Sequence, residues 1–337
     1  VHPALAVAEA LPPGAEAVLL GGPAGLEKRL VAGRGHRLLT TPAAPFARAG
    51  VLGKARSLAA TVAGAIAARR LLRRERPGVV LGLGGYASVP AALAAWSLGI
   101  PVLVFEANAV PGTANRALGS LATRVLLGFP SAAGSFRRPT TVTGVPVRRE
   151  ILVRAACGPH VPLRVLVCGG SLGSRFLDEH VPTLLALVGA GGRPVEVRHV
   201  GDPERAAAAY ARAGVTATVI AYVDDMAAEY ARADIAIVSA GANTLAELAA
   251  VGLPALLVPL ATAARDHQTP NAREFAATTG ARWCRETDWD PEALATHLVA
   301  LGSTAAWAAA ADGVRRHARP DAAAAVARAC LESARRP

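Results

Sequence analysis

Residues 77–105 read PGVVLGLGGYASVPAALAAWSLGIPVLVF, a run without one charged side chain. Its length alone suits a membrane-spanning helix. Gly82, Gly84, Gly85, Pro90, Gly99 and Pro101 argue otherwise. They cut the run into strand, loop, helix and strand, because glycine and proline punctuate regular structure. A strand buried on both faces of a parallel sheet reads as an unbroken apolar run. The stretch therefore predicts a β-α-β unit rather than a membrane span.

The same alternation extends in both directions. Strand-like bursts occur at 17–22, 101–108 and 124–128, and again at 164–170, 196–201, 218–223, 235–241 and 255–260, with Ala-rich helical stretches between them. This pattern predicts an α/β protein with parallel sheets and helices on both faces. Right-handed crossovers then limit each half to a Rossmann-like winding. The 337 residues are ample for two such domains. The irregular stretch VRAACGPHVP (153–162) follows TVTGVPVRREI (141–151) and marks the boundary between the halves. The segment from about 304 to 336 reads as helical, with Pro320 kinking or restarting it. The first residues, VHPALAVAEAL, read as a helix without its preceding strand, and they carry no signal-peptide pattern.

Composition narrows the partners. Hydrophobic residues make up 52% and aromatic residues 4%, so Ala, Leu and Val must fill the cores. The net charge of +11 is carried mainly by arginine and points to an anionic partner. Low aromatic content and the absence of a recognition motif argue against nucleic acid. The four cysteines show no C-x-x-C spacing and read as reduced thiols.

Three loops rich in small residues follow predicted strands and precede helices: GLGGYAS (82–88), GGSLGS (169–174) and SAGANT (239–244). Each offers unpaired amides and a positive helix end, and three together suggest a site for a phosphate-bearing ligand. Thr244 and Glu247 have the spacing of a capping box. Glu247 could equally accept sugar hydroxyls, capping the helix in the free protein and swinging to a ribose when ligand arrives. A dinucleotide reading also exists: Gly82, Gly84 and Ala87 fit G-x-G-x-x-A, with Glu106 after the next strand. That loop, however, lies deep in the first half rather than at its first strand.

Several segments in order carry a specific resemblance: GGYASVPAALAAWSLGIPVLVFEAN, TGVPVR, VLVCGGSLGSRFLD, YVDDMAAEYARADIAIVSAGANTLAELAAVGLPALLVP and ARDHQTPNA. Over nearly its whole length the chain resembles the MurG family, bacterial transferases that add N-acetylglucosamine to lipid I. The resemblance implies a GT-B fold, two Rossmann-like domains with parallel sheets facing across a cleft. It implies domains at 1–146 (acceptor and membrane side) and 147–316 (UDP-GlcNAc side), with a C-terminal helix at 317–337 packing back on the first. It implies an inverting transfer of GlcNAc to the MurNAc 4-hydroxyl of lipid I, giving lipid II, without cofactor or metal. Another UDP-sugar transferase, a UDP-GlcNAc epimerase and a dinucleotide oxidoreductase are the alternatives.

The family's donor contacts map onto Asn108, Arg148, Ser171, Val223, Ala242, Asn243, Thr244, Leu245, Glu247, His267, Gln268 and Asn271. Gly84, Gly85 and Tyr86 map onto the loop facing the acceptor, and Glu106 is the base-like candidate. The family's first glycine loop, G-G-T-x-G-H, with the histidine considered for general base, should lie just before Val1, so the chain as given is expected to lack it. Phe105 stands for the histidine of H-E-x-N, Asp178 for a common Asn, and His267 for a Gln. The basic stretch 53–77, with Arg56, Arg69, Arg70, Arg73, Arg74 and Arg76, is the expected contact with an anionic membrane surface, which implies a peripheral protein at the cytoplasmic face of the cell membrane.

Overall fold

The computed structural model describes residues 1–22, 30, 31, 33–41, 51–85, 88–170, 173–263 and 266–335, with backbone alone over 51–58. The chain divides into two compact units, Val1–Arg148 with Asp321–Pro337, and Arg149–Pro320.

In the first unit β1 (Val18–Gly21) pairs with β2 (Arg37–Thr40). A separate four-stranded sheet has the order β3 (Val80–Gly82), β4 (Val102–Glu106), β5 (Arg124–Leu127), β6 (Thr140–Val142). All its pairings are parallel. The uncharged run thus becomes β3, the helix Ser88–Ser97 and β4. Among the described residues no single helix is long and apolar enough to cross a membrane. Every residue of β4 is buried, as a central parallel strand requires. Val102, Val104, Val125 and Leu127 pack with Ala92, Ala95 and Leu118 in one core. The small side chains of Ser88–Ser97 let it lie close against the long helix Val51–Glu75. The helix Ala322–Ser333 belongs to this unit. It packs on His2–Glu9, Glu332 pairs with Arg124 at 3.2 Å, and the Arg335 amide donates to the Gly78 carbonyl at 2.9 Å.

The second unit holds six parallel strands in the order β12 (Arg282–Trp283), β11 (Ala255–Leu257), β10 (Ile235–Val238), β7 (Leu163–Cys168), β8 (Val195–Val200), β9 (Ala217–Ile220). Strand order reverses between β7 and β10, the crevice where doubly wound sheets bind ligands. The register Val238↔Cys168 ends both strands level, so the loops after them leave the same edge together. The core joins Val165, Val167, Ile235 and Ile237 to Leu177, Val181, Leu184 and Leu185 of the helix Arg175–Ala190. The helical tail breaks near Pro320, Thr304–Arg315 on one side and Ala322–Ser333 on the other.

Candidate functional site

The loops after β7 and β10 form the centre of the site. In the first, glycine is obligatory at 169, where an added Cβ would sit 2.2 Å from the Ser174 amide nitrogen. Gly170 and Gly173 adopt φ of +75° and +69°, open to glycine at little cost. Ser174 then caps the next helix, accepting from the Leu177 amide at 3.2 Å. Ser171 lies outside the described residues.

The second loop is tied to its neighbours by three buried polar side chains. Ser239 Oγ donates to the Gly169 carbonyl at 3.1 Å and so joins the two glycine loops. Gln268 Oε1 accepts from the Ala240 and Leu260 amides at 2.9 and 3.0 Å. Asn271 Nδ2 donates to the Ala240 carbonyl at 3.2 Å. These bonds hold the loop while leaving the helix that follows it uncapped. That helix, Ala242–Val251, has Gly241 as N-cap with no side-chain bond to its first amides. The first-turn amides of a helix have no intrahelical partner and, with the helix dipole, favour an anion.

This corrects the capping-box expectation. Gly241, extended at φ −66° and ψ 135°, starts the helix three residues before Thr244. Thr244 is therefore inside the first turn, and Thr244 and Glu247 share a helix face rather than form a cap. Glu247 is half-buried and accepts from the Tyr230 hydroxyl at 3.0 Å. Its charge also raises the Cys168 thiol pKa; burial is the main cause of that rise, opposed by the Gly170 amide.

The Leu245 side chain is fully buried and its amide donates to the Gly241 carbonyl at 3.0 Å, so it packs the helix on the core. Ala242 is buried, Thr244 half-buried and Asn243 exposed at the open start of the helix. Val223 is half-buried in the loop before the helix Met226–Arg232, and His267, half-buried, precedes Gln268–Thr279 as its N-cap. Gln268 and Asn271 turn the bonds described above toward backbone, which makes them braces of the loop. Asp178, 2% exposed, bonds His199 Nε2 and Arg205 Nη1 at 3.1 Å each, a cluster that uses the second carboxylate oxygen an asparagine would lack. Burial and the Asp178 charge together push the Tyr210 phenol upward beside them.

In the first unit, Gly84 and Gly85 follow β3 with φ of +86° and +78°. Tyr86 lies outside the described residues. Arg148 is buried at the end of this unit's first segment. Asn108 is half-buried, with its amide and Nδ2 donating to Glu106 Oε1 at 2.9 and 3.0 Å. Glu106 Oε2 accepts from the Gly112 amide at 3.1 Å and from Asn115 Nδ2 at 2.9 Å. Four donors therefore occupy a carboxylate that is 2% exposed. A general base needs a lone pair within reach of the proton it takes. Glu106 has these lone pairs engaged inside the chain, so service as the base would require it to release at least one of the four donors.

Sequence reading missed Ser239, Tyr230 and Asn115. Ser239 was visible only as a small residue in SAGANT. Its partner lies 70 positions away, and Tyr230 lies 17 positions from Glu247.

Residues 1–127 match the N-terminal domain of glycosyltransferase family 28, and residues 164–325 match its C-terminal domain. A protein of Alkalilimnicola ehrlichii is 41% identical over 357 residues, covering 99% of this chain and 96% of that protein. One of Methylococcus capsulatus is 41% identical over 345 residues, covering 99% and 95%. Both are named UDP-N-acetylglucosamine–N-acetylmuramyl-(pentapeptide) pyrophosphoryl-undecaprenol N-acetylglucosamine transferase. The crystal structure of Acinetobacter baumannii MurG superposes with a TM-score of 0.76 at 31% identity, covering 98% of this chain and 95% of that one. A putative UDP-N-acetylglucosamine 2-epimerase from Listeria monocytogenes reaches 0.68 at 14% identity, covering 98% and 92%, a likeness of fold alone. With two parallel-sheet α/β units and matches that span it from end to end, the chain belongs to glycosyltransferase family 28, as a MurG-family enzyme of GT-B fold.

Proposed function

We propose that this chain transfers N-acetylglucosamine from UDP-GlcNAc to the MurNAc 4-hydroxyl of lipid I, giving lipid II and UDP. The observation that carries the reading is the uncapped helix start Ala242–Val251, braced by Gln268 and Asn271 beside the half-buried Glu247. A diphosphate fits the amides of Ala242, Asn243 and Thr244 without a metal. Glu247 accepts the ribose hydroxyls, and the Val223 backbone meets the uracil. Ser171, His267, Asn108 and Arg148 complete the donor contacts, with Arg148 supplying charge-assisted bonds. Gly84 and Gly85 belong to the loop that serves the acceptor, the role the family resemblance also gives to Tyr86.

In the reaction the 4-hydroxyl oxygen bonds to the anomeric carbon as the bond from that carbon to the diphosphate oxygen breaks. The hydroxyl proton passes to a base and the leaving charge remains on UDP. Fixed amides aimed at the diphosphate stabilise that charge as it develops, with no reorganisation needed at the moment of transfer.

The acceptor is a lipid, and the surface of the first unit suits a peripheral protein on the cytoplasmic face of the cell membrane. Val62, Ile66 and Trp96 are 52%, 51% and 56% exposed on the adjoining helices Val51–Glu75 and Ser88–Ser97. Arg70, Arg73 and Arg74 are exposed along the same long helix, Arg76 is exposed just past its end, and Arg69 bonds Ser97 across the pair. Apolar insertion flanked by arginine favours anionic lipid. The side chain of Arg56 lies outside the described residues.

Calorimetric titration with UDP-GlcNAc, UDP-glucose and NAD tests the donor site; preference for UDP-GlcNAc is expected, and preference for NAD would reject it. Turnover with a lipid I analogue separates transfer from epimerisation, which would convert UDP-GlcNAc to its C2 epimer without the acceptor and without net release of UDP. Sedimentation with anionic vesicles should weaken in Trp96→Ala and in the combined Arg70, Arg73 and Arg74 to Ala variant. Unchanged sedimentation in both discards the membrane face.

A further inference from the structure

Glu106 ends β4 as a buried carboxylate whose two oxygens are divided between two jobs. Oε1 takes both nitrogens of Asn108, its amide at 2.9 Å and its Nδ2 at 3.0 Å. Oε2 takes the Gly112 amide at 3.1 Å and Asn115 Nδ2 at 2.9 Å. The first pair fixes the plane of the Asn108 carboxamide. The second fixes the carboxylate itself.

Asn115 is the unusual member. It is 5% exposed, and its Nδ2 also donates to the Phe105 carbonyl at 3.0 Å. Its Oδ1 is buried without a hydrogen-bond partner among the described residues. A buried acceptor left unpaired is disfavoured and calls for an explanation. Only a side chain with two N–H bonds on one nitrogen can reach Phe105 and Glu106 together. Aspartate of the same shape would place an acceptor against both. The amide also lies against the glycine loop after β3, where a Cβ on Gly84 would come 3.2 Å from Nδ2 and 3.5 Å from Oδ1. Asn115 therefore touches both the carboxylate that orients Asn108 and the loop carrying Gly84 and Gly85.

We propose that Glu106 and Asn115 are positioning residues for the transfer reaction, holding the Asn108 carboxamide and the Gly84 loop in one fixed geometry without exchanging a proton. The inference deepens the function above and rests on Asn108 as a donor contact.

A double-mutant cycle in the full chain tests it, reading kcat and KM for UDP-GlcNAc with a lipid I analogue. Asn108→Ala should lower kcat/KM by about tenfold or more, and Asn115→Ala by a smaller factor. Together they should lower kcat/KM by clearly less than the product of the two single effects, because Asn115 acts partly through Asn108 and partly on the Gly84 loop. Multiplying effects would overturn the positioning role while leaving Asn108 as a contact. An Asn108→Ala enzyme with unchanged kinetics would remove both that contact and this inference.

Glu106→Gln supplies an arm that keeps shape and burial. Its amide nitrogen must face two donors, so kcat/KM should fall while the acid limb of the pH–rate profile stays at the same pH. Loss of that limb would identify Glu106 as the proton acceptor and overturn the proposal.

Discussion

The two units each place a glutamate beside a glycine loop, and the two are handled in opposite ways. Glu106 is buried and takes four N–H groups of its own unit, three of them within six residues along the chain. Glu247 is half-buried on the first turns of a helix without a side-chain cap, and the Tyr230 hydroxyl is among its donors. A carboxylate held by two backbone amides and two carboxamide N–H groups of its own unit is scaffold. One half-buried beside a helix start that no side chain caps among the described residues is where the proposed ligand would bring its own hydroxyls.

The strongest way to break this contrast is Glu106→Ala. It strands buried amides and carboxamides, each costing about 1–3 kcal/mol, so chemical denaturation should show a loss of roughly 3 kcal/mol or more. A loss below about 1 kcal/mol would mean the carboxylate is not structural.

The comparison must be made at a suitable pH, because His317 makes the second unit acid-sensitive. Burial, with Arg319 nearby, holds its imidazole down to about 4, while its ring packs edge-on against Phe275 at 4.8 Å. The folded state then binds fewer protons than the unfolded state between that value and the ordinary 6.5. Stability is present in full above pH 6.5 and is lost as pH falls toward 4, by at most roughly 3 kcal/mol. Unfolding of His317→Gln across this window should show a flatter slope, and an unchanged slope would assign the sensitivity elsewhere.

Glu247→Gln is the counterpart of the first test. Its midpoint of thermal unfolding should barely move, while UDP-GlcNAc binding by calorimetry weakens by about 1–3 kcal/mol, the scale of a charged hydrogen bond. If stability falls and affinity holds, Glu247 is scaffold too and the contrast collapses. The smallest effect belongs to Tyr230→Phe, which leaves Glu247 in place but removes its oriented bond. A loss of affinity of about 0.5–1.5 kcal/mol is expected, and a gain would show that the hydroxyl competes with the ribose.

The fold was legible because its central strands are apolar on both faces. The bursts at 101–108, 164–170 and 235–241 became β4, β7 and β10. The strands not read, β2 with Arg37 and Thr40, β6 with Thr140 and Thr141, and the two-residue β12, carry polar residues or are too short for periodicity. In the site, position in the chain was legible and role was not. Thr244-x-x-Glu247 has the spacing of a cap, but the backbone of Gly241 decides where the helix begins, and glycine gives no side-chain signal there. Gln268 and Asn271 were found as polar residues in a motif, while their bonds to Ala240 arise from packing about 30 positions away.

The division of the chain into Val1–Arg148 with Asp321–Pro337, and Arg149–Pro320 between them, has a consequence for synthesis. The second unit is continuous, so it can close its core as soon as Pro320 has left the ribosome. The first unit, whose larger segment is made first, must wait for Ala322–Ser333 to reach His2–Glu9 and for the Arg335 amide to reach Gly78. Its assembly depends on contacts of very long sequence separation, which form slowly. During that interval the apolar faces that helix later covers stay open, so nascent chains should depend more on chaperones for the half translated first.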